Sequence, residues 1–128
     1  MAGELILIVE DDERNLVLVR DLLQVKGYRT LEATTAAEGT ALAAAHHPDL
    51  VLMDIRLPGE DGVAALRRLR AAPDLASLPV VALTAFAMRE DRERLLAAGF
   101  DGYLSKPIEI HTFLDEVRRY CQKAHQER

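Results

Sequence analysis

The sequence predicts a doubly wound α/β sandwich, with five parallel strands alternating with five helices. Three observations carry this prediction. Short apolar runs recur at LILIV (5–9), DLVLMD (49–54), LPVVALT (78–84) and GYLS (102–105), with a weaker, alternating candidate at YRTLEA (28–33). Helix-length amphipathic segments separate them. The runs are apolar throughout, which suits strands covered on both faces, the condition of a parallel sheet. Parallel neighbours need crossovers, which are right-handed and put helices on both faces.

Each element follows from local signals. LILIV is a buried strand that ends in acid. Residues 13–26 carry Leu16, Val19, Leu22, Leu23 and Val25 mostly at helical spacing, and Gly27 stands where a helix C′ residue belongs. The segment 34–47 opens on Thr34 and Thr35, both N-cap residues by type, with Glu38 at capping-box spacing from Thr35, and it stops before Pro48. A third helix covers 61–71 and is stopped at Pro73. The stretch APDLASLP (72–79) is the longest irregular piece. A fourth helix covers 88–99, ended by Gly99, and a fifth covers 108–124.

The totals fit one domain spanning 1–128, with a core over about 4–122 and no linker, repeat or low-complexity segment. The chain is 49% apolar and 29% charged, a globular composition. Its net charge of −5 disfavours non-specific binding to nucleic acid or to an anionic membrane surface. With Cys121 alone, no intramolecular disulfide can form, and Cys121 reads as an ordinary residue of the last helix. The N-terminus lacks a basic n-region and a long apolar run, so neither a signal peptide nor a membrane span is expected, and the expected location is cytoplasmic.

In such a sheet, ligands bind outside the carboxyl ends of the strands. The first strand ends in Glu10, Asp11 and Asp12, the third in Asp54, the fourth in Thr84, and the fifth in Ser105, Lys106 and Pro107. Carboxylates gathered in one cleft repel unless a cation or a proton sits among them, and hard oxygen donors with room for water favour Mg2+. Asp12 and Glu13 are expected to do no more than start the first helix. A carboxylate such as Asp54 at the tip of a rigid strand can attack phosphorus and become an aspartyl-phosphate. Taken alone it is also an ordinary turn aspartate before PGEDG. Thr84 offers a hydroxyl and Lys106 an ammonium for phosphoryl oxygens. A cis Lys106–Pro107 bond would aim that ammonium inward.

The segments ILIVEDD, DLVLMDIRLPGEDG, VVALTA and GYLSKP, in this order and spacing, resemble the receiver domain of two-component response regulators (CheY-like) over residues 4 to 122. TAFAM (84–88) is more narrowly similar to stand-alone receivers of the DivK type and to receivers attached to hybrid kinases. The resemblance implies a flavodoxin-like strand order 2-1-3-4-5. It implies Asp54 as phosphoacceptor, with a metal set of Asp11 (direct), Glu10 (through water), Asp54 and the Arg56 backbone carbonyl. Thr84 would be the switch hydroxyl, Lys106 the phosphate-binding lysine, Tyr103 the aromatic that turns inward, and Pro107 the cis proline.

The implied function is a phosphorylation-dependent switch. Asp54 would take a phosphoryl group from a histidine kinase or a histidine phosphotransfer protein with Mg2+. A rearrangement of the fourth helix, fifth strand and fifth helix would follow. The chain would promote its own phosphorylation and dephosphorylation rather than turn over a substrate. Kinase docking is implied on the first helix, with Asn15 and Val17 as contact candidates. The chain ends at Arg128, soon after the fifth helix, so output is expected through a downstream protein, without nucleic-acid binding or membrane insertion.

Arg56 departs from many relatives by placing a long cation two residues after Asp54, where the side chain tunes self-hydrolysis, and the small Ala85 leaves room for a phosphodonor. A Mg2+-dependent phosphatase would want a second acid where Arg56 stands. A nucleotide module would want a Gly-rich loop where Glu10, Asp11 and Asp12 stand. A receiver that is never phosphorylated, acting only as an adaptor, is the third rival, and the intact set Asp11, Asp54, Thr84 and Lys106 argues against it.

Overall fold

The structure is a computed structural model that describes residues 3–57, 62–84 and 89–127. Its elements run β1 (Leu5–Val9), α1 (Glu13–Val25), β2 (Arg29–Ala33), α2 (Ala36–His46), β3 (Leu50–Asp54), α3 (Gly62–Ala71), β4 (Val80–Thr84), α4 (Arg89–Ala98), β5 (Gly102–Ser105) and α5 (Ile110–Glu127). One turn of 3₁₀ helix, Pro73–Leu75, sits in the loop predicted as irregular. The five strands form one parallel sheet in the order β2-β1-β3-β4-β5.

The period of two along each strand divides the core into two layers. Ile6, Ile8, Leu50, Leu52, Val81, Leu83 and Leu104 face α1 and α5, where they meet Leu16, Val19, Leu23, Phe113 and Val117. Leu7, Val9, Val51, Met53, Val80 and Ala82 face the other way, against Ala36, Ala43, Leu66, Leu69 and Leu95. β3 and β4 are buried at every position, as continuous apolar runs require. Each fully buried Leu or Ile is worth roughly 1.5–3 kcal/mol relative to exposure. β2 is one of the two edge strands, and its exposed and half-buried residues explain the weaker alternating signal.

The ends of the helices follow the capping signals. Asp12 caps α1, its Oδ1 accepting from the N–H groups of Arg14 (2.9 Å) and Asn15 (3.3 Å). At the far end Gly27 takes φ +90°, and the N–H of Tyr28 reaches back to the carbonyl of Leu23 at 3.1 Å. Thr35 caps α2 through Glu38 N–H at 3.1 Å. The Glu38 carboxylate returns to the N–H of Thr34 rather than of Thr35, at 2.9 Å, so the reciprocal half of the box is displaced by one residue. α5 starts at Ile110, two residues later than its predicted start, with Glu109 accepting from the N–H of Thr112 at 2.6 Å. Among the described residues, no helix is long and apolar enough to cross a membrane.

Candidate functional site

Strand register assembles the cleft. Val9 lies opposite Met53, which brings Glu10 beside Asp54. Asp54 lies opposite Leu83, and Thr84 opposite Ser105, so Thr84 and Lys106 reach the same edge. The N–H of Lys106 donates to the Thr84 carbonyl at 2.8 Å, continuing the ladder one residue past the strands. The resulting cleft, of about 260 Å³, is lined by Glu10, Asp11, Asn15, Asp54, Thr84 and Lys106, with Asp12, Ile55 and Arg56 completing its wall.

The side chains differ sharply in exposure. Glu10 is fully buried, Asp54 and Thr84 are buried, Lys106 is half-buried and Asp11 is exposed. One oxygen from each of Glu10, Asp11 and Asp54 lies within 4.8 Å of the others. The Lys106 ammonium stands among them, donating to Glu10 Oε2 at 2.9 Å, Glu10 Oε1 at 3.1 Å and Asp54 Oδ2 at 3.2 Å. The other oxygen of Asp54, Oδ1, accepts from the N–H of Arg56 at 3.0 Å. Asp12 N–H donates to Glu10 Oε1 at 3.3 Å.

The charges explain the titration of the pair. Burial pushes the Glu10 carboxyl above its ordinary value; the hydrogen bond from Lys106 opposes this, and the nearby charge of Asp54 adds to it. Burial by itself would lower the Lys106 ammonium, but the hydrogen bond and charge of Glu10, together with Asp54, outweigh it and hold the lysine above its usual range. Lys106 is therefore a cation at neutral pH. Three carboxyl groups against one ammonium leave an excess of acid in the cleft. That excess, presented on hard oxygens at a solvent-open rim, fits a divalent cation such as Mg2+.

Glu10, Asp11, Asp54, Thr84, Lys106 and Arg56 share the cleft, Arg56 through its exposed side and its backbone. The Lys106–Pro107 bond is cis. Tyr103 is elsewhere, half-buried on β5 with the Arg92 guanidinium 5.1 Å from its ring centre. It borders a separate groove of about 440 Å³ with Ile108, Phe113 and Tyr120. On α1, Asn15 lines the cleft, but Val17 is half-buried beside Arg20 and Gln24, which bond to Glu32 and Thr30 of β2. The exposed large apolar residues of α1 are instead Leu18 and Val25. Ala85, Phe86 and Met88, and the Pro58–Gly59–Glu60–Asp61 turn, lie outside the described residues.

Two features escaped sequence reasoning. Glu10 was expected to serve a metal through water; it is also the closest partner of Lys106, because its longer side chain spans to β5. Gly62, at the start of α3, touches the backbone of Asp54: a Cβ there would meet the Asp54 carbonyl oxygen at 2.7 Å. The glycine closing PGEDG was the available signal.

Comparison with known proteins agrees with this geometry. The family model for the response regulator receiver domain matches residues 6–118. The polar-differentiation response regulator DivK of Brucella ovis is 43% identical over 119 residues, covering 93% of this chain and 97% of that protein. The receiver domain of a sensor histidine kinase from Pseudomonas aeruginosa, solved with a magnesium ion coordinated in its active-site cleft, superposes with a TM-score of 0.86 at 36% identity, covering 94% of this chain and 99% of that one. A CheY-like receiver from Methanospirillum hungatei gives a TM-score of 0.89 at 28% identity, covering 99% of this chain and 100% of that one. Strand order, cleft and sequence match converge, and the chain belongs to the response regulator receiver domain family.

Proposed function

We propose that Asp54 is the phosphoacceptor of this receiver and that Glu10, Asp11, Asp54, Thr84 and Lys106 are its working residues. Phosphorylation-dependent switching is the general function of the family. The observation that carries the assignment to these residues is their convergence from four different strand ends into one cleft. In the proposed transfer, a carboxylate oxygen of Asp54 attacks the phosphorus of a phosphohistidine. The new O–P bond forms as the P–N bond breaks, and the electron pair leaves with the imidazole of the donor. Asp11, Asp54 and Glu10 would hold Mg2+, with the Arg56 carbonyl as a further ligand. When bound, Mg2+ supplies neutralisation of the charge developing on the phosphoryl oxygens. Lys106, already at 3.2 Å from Asp54 Oδ2, is placed to pair with one of those oxygens, and the Thr84 hydroxyl with another.

The donor is a histidine kinase or a histidine phosphotransfer protein, docked over the cleft beside α1, where Asn15 forms part of the wall. Phosphorylation would draw Thr84 toward the phosphoryl group and let Tyr103 turn inward, altering the face made by α4, β5 and α5 for a protein target. The chain would assist its own phosphorylation and hydrolysis, with Arg56 at the rim affecting the lifetime of the phosphoryl group.

The test is incubation with Mg2+ and acetyl phosphate or a phosphorylated kinase. An acid-stable, base-labile phosphoryl group on the wild type, lost in Asp54→Asn, is expected. Equal labelling of Asp54→Asn, or none of the wild type, would overturn the assignment.

A further inference from the structure

The Arg92 guanidinium lies over the ring of Tyr103, 5.1 Å from its centroid. That is within the range of cation–π attraction. Arg92 is exposed on α4, one turn before the buried Leu95 that seats this helix on the sheet. Strand register puts Tyr103 on the face that α4 covers. Tyr103 lies opposite Ala82, and both pack in one core layer with Leu95. Side chains two residues apart along a strand share a face. Thr84, two residues beyond Ala82 on β4, therefore shares that face with Tyr103. The ring thus stands between the buried Thr84 at the cleft and an exposed cation on α4. Among the described residues, the Tyr103 hydroxyl has no hydrogen-bond partner, so the guanidinium is the polar group that holds the ring at the groove.

We propose that Arg92 is a positioning residue that holds Tyr103 in its outward, groove-side position and so sets the balance of the switch. A ring that turns inward toward Thr84 leaves the guanidinium behind, because Leu95 anchors the helix that carries Arg92. The attraction is then present in the outward state and absent from the inward one. An occupied cleft has to overcome it, since a ligand shifts a two-state equilibrium only by its differential affinity for the two states. This rests on the reading of Tyr103 as the ring that turns inward. It goes beyond that reading by naming the group on α4 that opposes the turn, and by tying the hold of that helix on the ring to the occupancy of the cleft.

The test is calorimetric binding of beryllium fluoride, a phosphoryl mimic, in the presence of Mg2+. Arg92→Met keeps an unbranched side chain and removes the charge. It should tighten binding by roughly two- to fivefold, because the inward, binding-competent state becomes more populated. Loss of a cation acting from a distance would weaken the binding of an anion, so the direction separates the two effects. Arg92→Lys, which returns a cation, should bring the affinity back toward the wild-type value. In the Tyr103→Leu background there is no ring to hold, and Arg92→Met should give no tightening. Equal tightening in both backgrounds, equal tightening by Arg92→Lys and Arg92→Met, or none by Arg92→Met in the wild type, would overturn the proposal.

A second measurement needs only the wild type, and serves if a variant fails to fold. The chain has three tyrosines, so the Tyr103 ring resonances can be resolved. In the outward state the Arg92 side chain lies over that ring and feels its ring current. Saturation with beryllium fluoride and Mg2+ should move the Tyr103 resonances and carry the Arg92 Nε–H resonance toward that of an unstacked arginine. Tyr103 resonances that move while that of Arg92 stays fixed overturn the role of Arg92 alone. Tyr103 resonances that stay fixed overturn the inward turn and the role of Arg92 together. Failure of the wild type to bind beryllium fluoride overturns the phosphoacceptor assignment, and both readings with it.

Discussion

Gly62 stands against the backbone of Asp54 so closely that a Cβ on it would lie 2.7 Å from the Asp54 carbonyl oxygen and 3.0 Å from the Cα of Ile55. Its N–H donates to the Ile55 carbonyl at 2.9 Å. The first turn of α3 is thereby seated on the strand end that carries Asp54. Gly62→Ala should gain up to about 1 kcal/mol of helix propensity but lose roughly 1–3 kcal/mol to overpacking. The neighbour is backbone and cannot rotate away, so the loss wins. Urea unfolding should show a net fall in stability, and phosphorylation by acetyl phosphate should slow as Asp54 is displaced. An unchanged midpoint with unchanged labelling would show that the contact is dispensable.

At the opposite end of the sheet, Arg70 of α3 ties several segments together. Its guanidinium donates to the carbonyls of Ala76 (3.2 Å), Leu78 and Gly99 (3.1 Å), and to Asp101 Oδ2 at 2.8 Å. The same Asp101 oxygen accepts the N–H of the fully buried Val80 at 2.8 Å. Asp101→Ala leaves that N–H without its carboxylate and should cost roughly 1–3 kcal/mol in urea unfolding. Because Arg70 and Asp101 are partners, the two substitutions should be non-additive, with a coupling of at least about 0.5 kcal/mol.

Cys121 is buried on α5, and burial pushes its thiol up from 9.0 to about 12. At pH 8 the native thiol should resist iodoacetamide and react only after urea unfolding. The sign of the pH effect follows. The folded value lies above the unfolded one, so the contribution to stability is whole below about pH 9 and is lost as pH rises toward about 12. Wild type should lose stability faster than Cys121→Ala over that interval, by at most about 1.4 kcal/mol per pH unit. Parallel profiles would argue against a buried, neutral thiol.

Glu109 precedes α5 and accepts hydrogen bonds from Thr112 and from the N–H of His111. The bond with the Thr112 side chain, followed by that with its backbone, lowers the Glu109 carboxyl below its ordinary 4.5. Its contribution to stability is present above the unfolded value and is lost as pH falls through the lower folded one. Glu109→Gln should lower the thermal midpoint at pH 7 and lower it less at pH 3, checked by calorimetry at both pH values.

What could be read from the sequence was whatever depends on local pattern. Fully apolar runs such as LVLM before Asp54 mark strands covered on both sides, and Asp12, Thr35 and Gly27 mark helix ends because capping is a matter of a few neighbouring residues. The strand-end rule then placed Glu10, Asp11, Asp54, Thr84 and Lys106 on one edge without coordinates. The order of strands within the sheet was available only through resemblance to the receiver family.

The pairing inside the cleft depends on tertiary structure alone. Which carboxylate takes the lysine is set by the register of β1 against β3 and by the reach of a glutamate compared with an aspartate across 96 residues of separation, distances that no local pattern encodes. The close seat of Gly62 under Asp54 and the clamp of Arg70 on Asp101 are likewise contacts between elements, decided by how the helices settle on the sheet. The inventory of groups at the strand tips follows from the order of residues along the chain; packing sets which of them face one another and how deeply each is withdrawn from water.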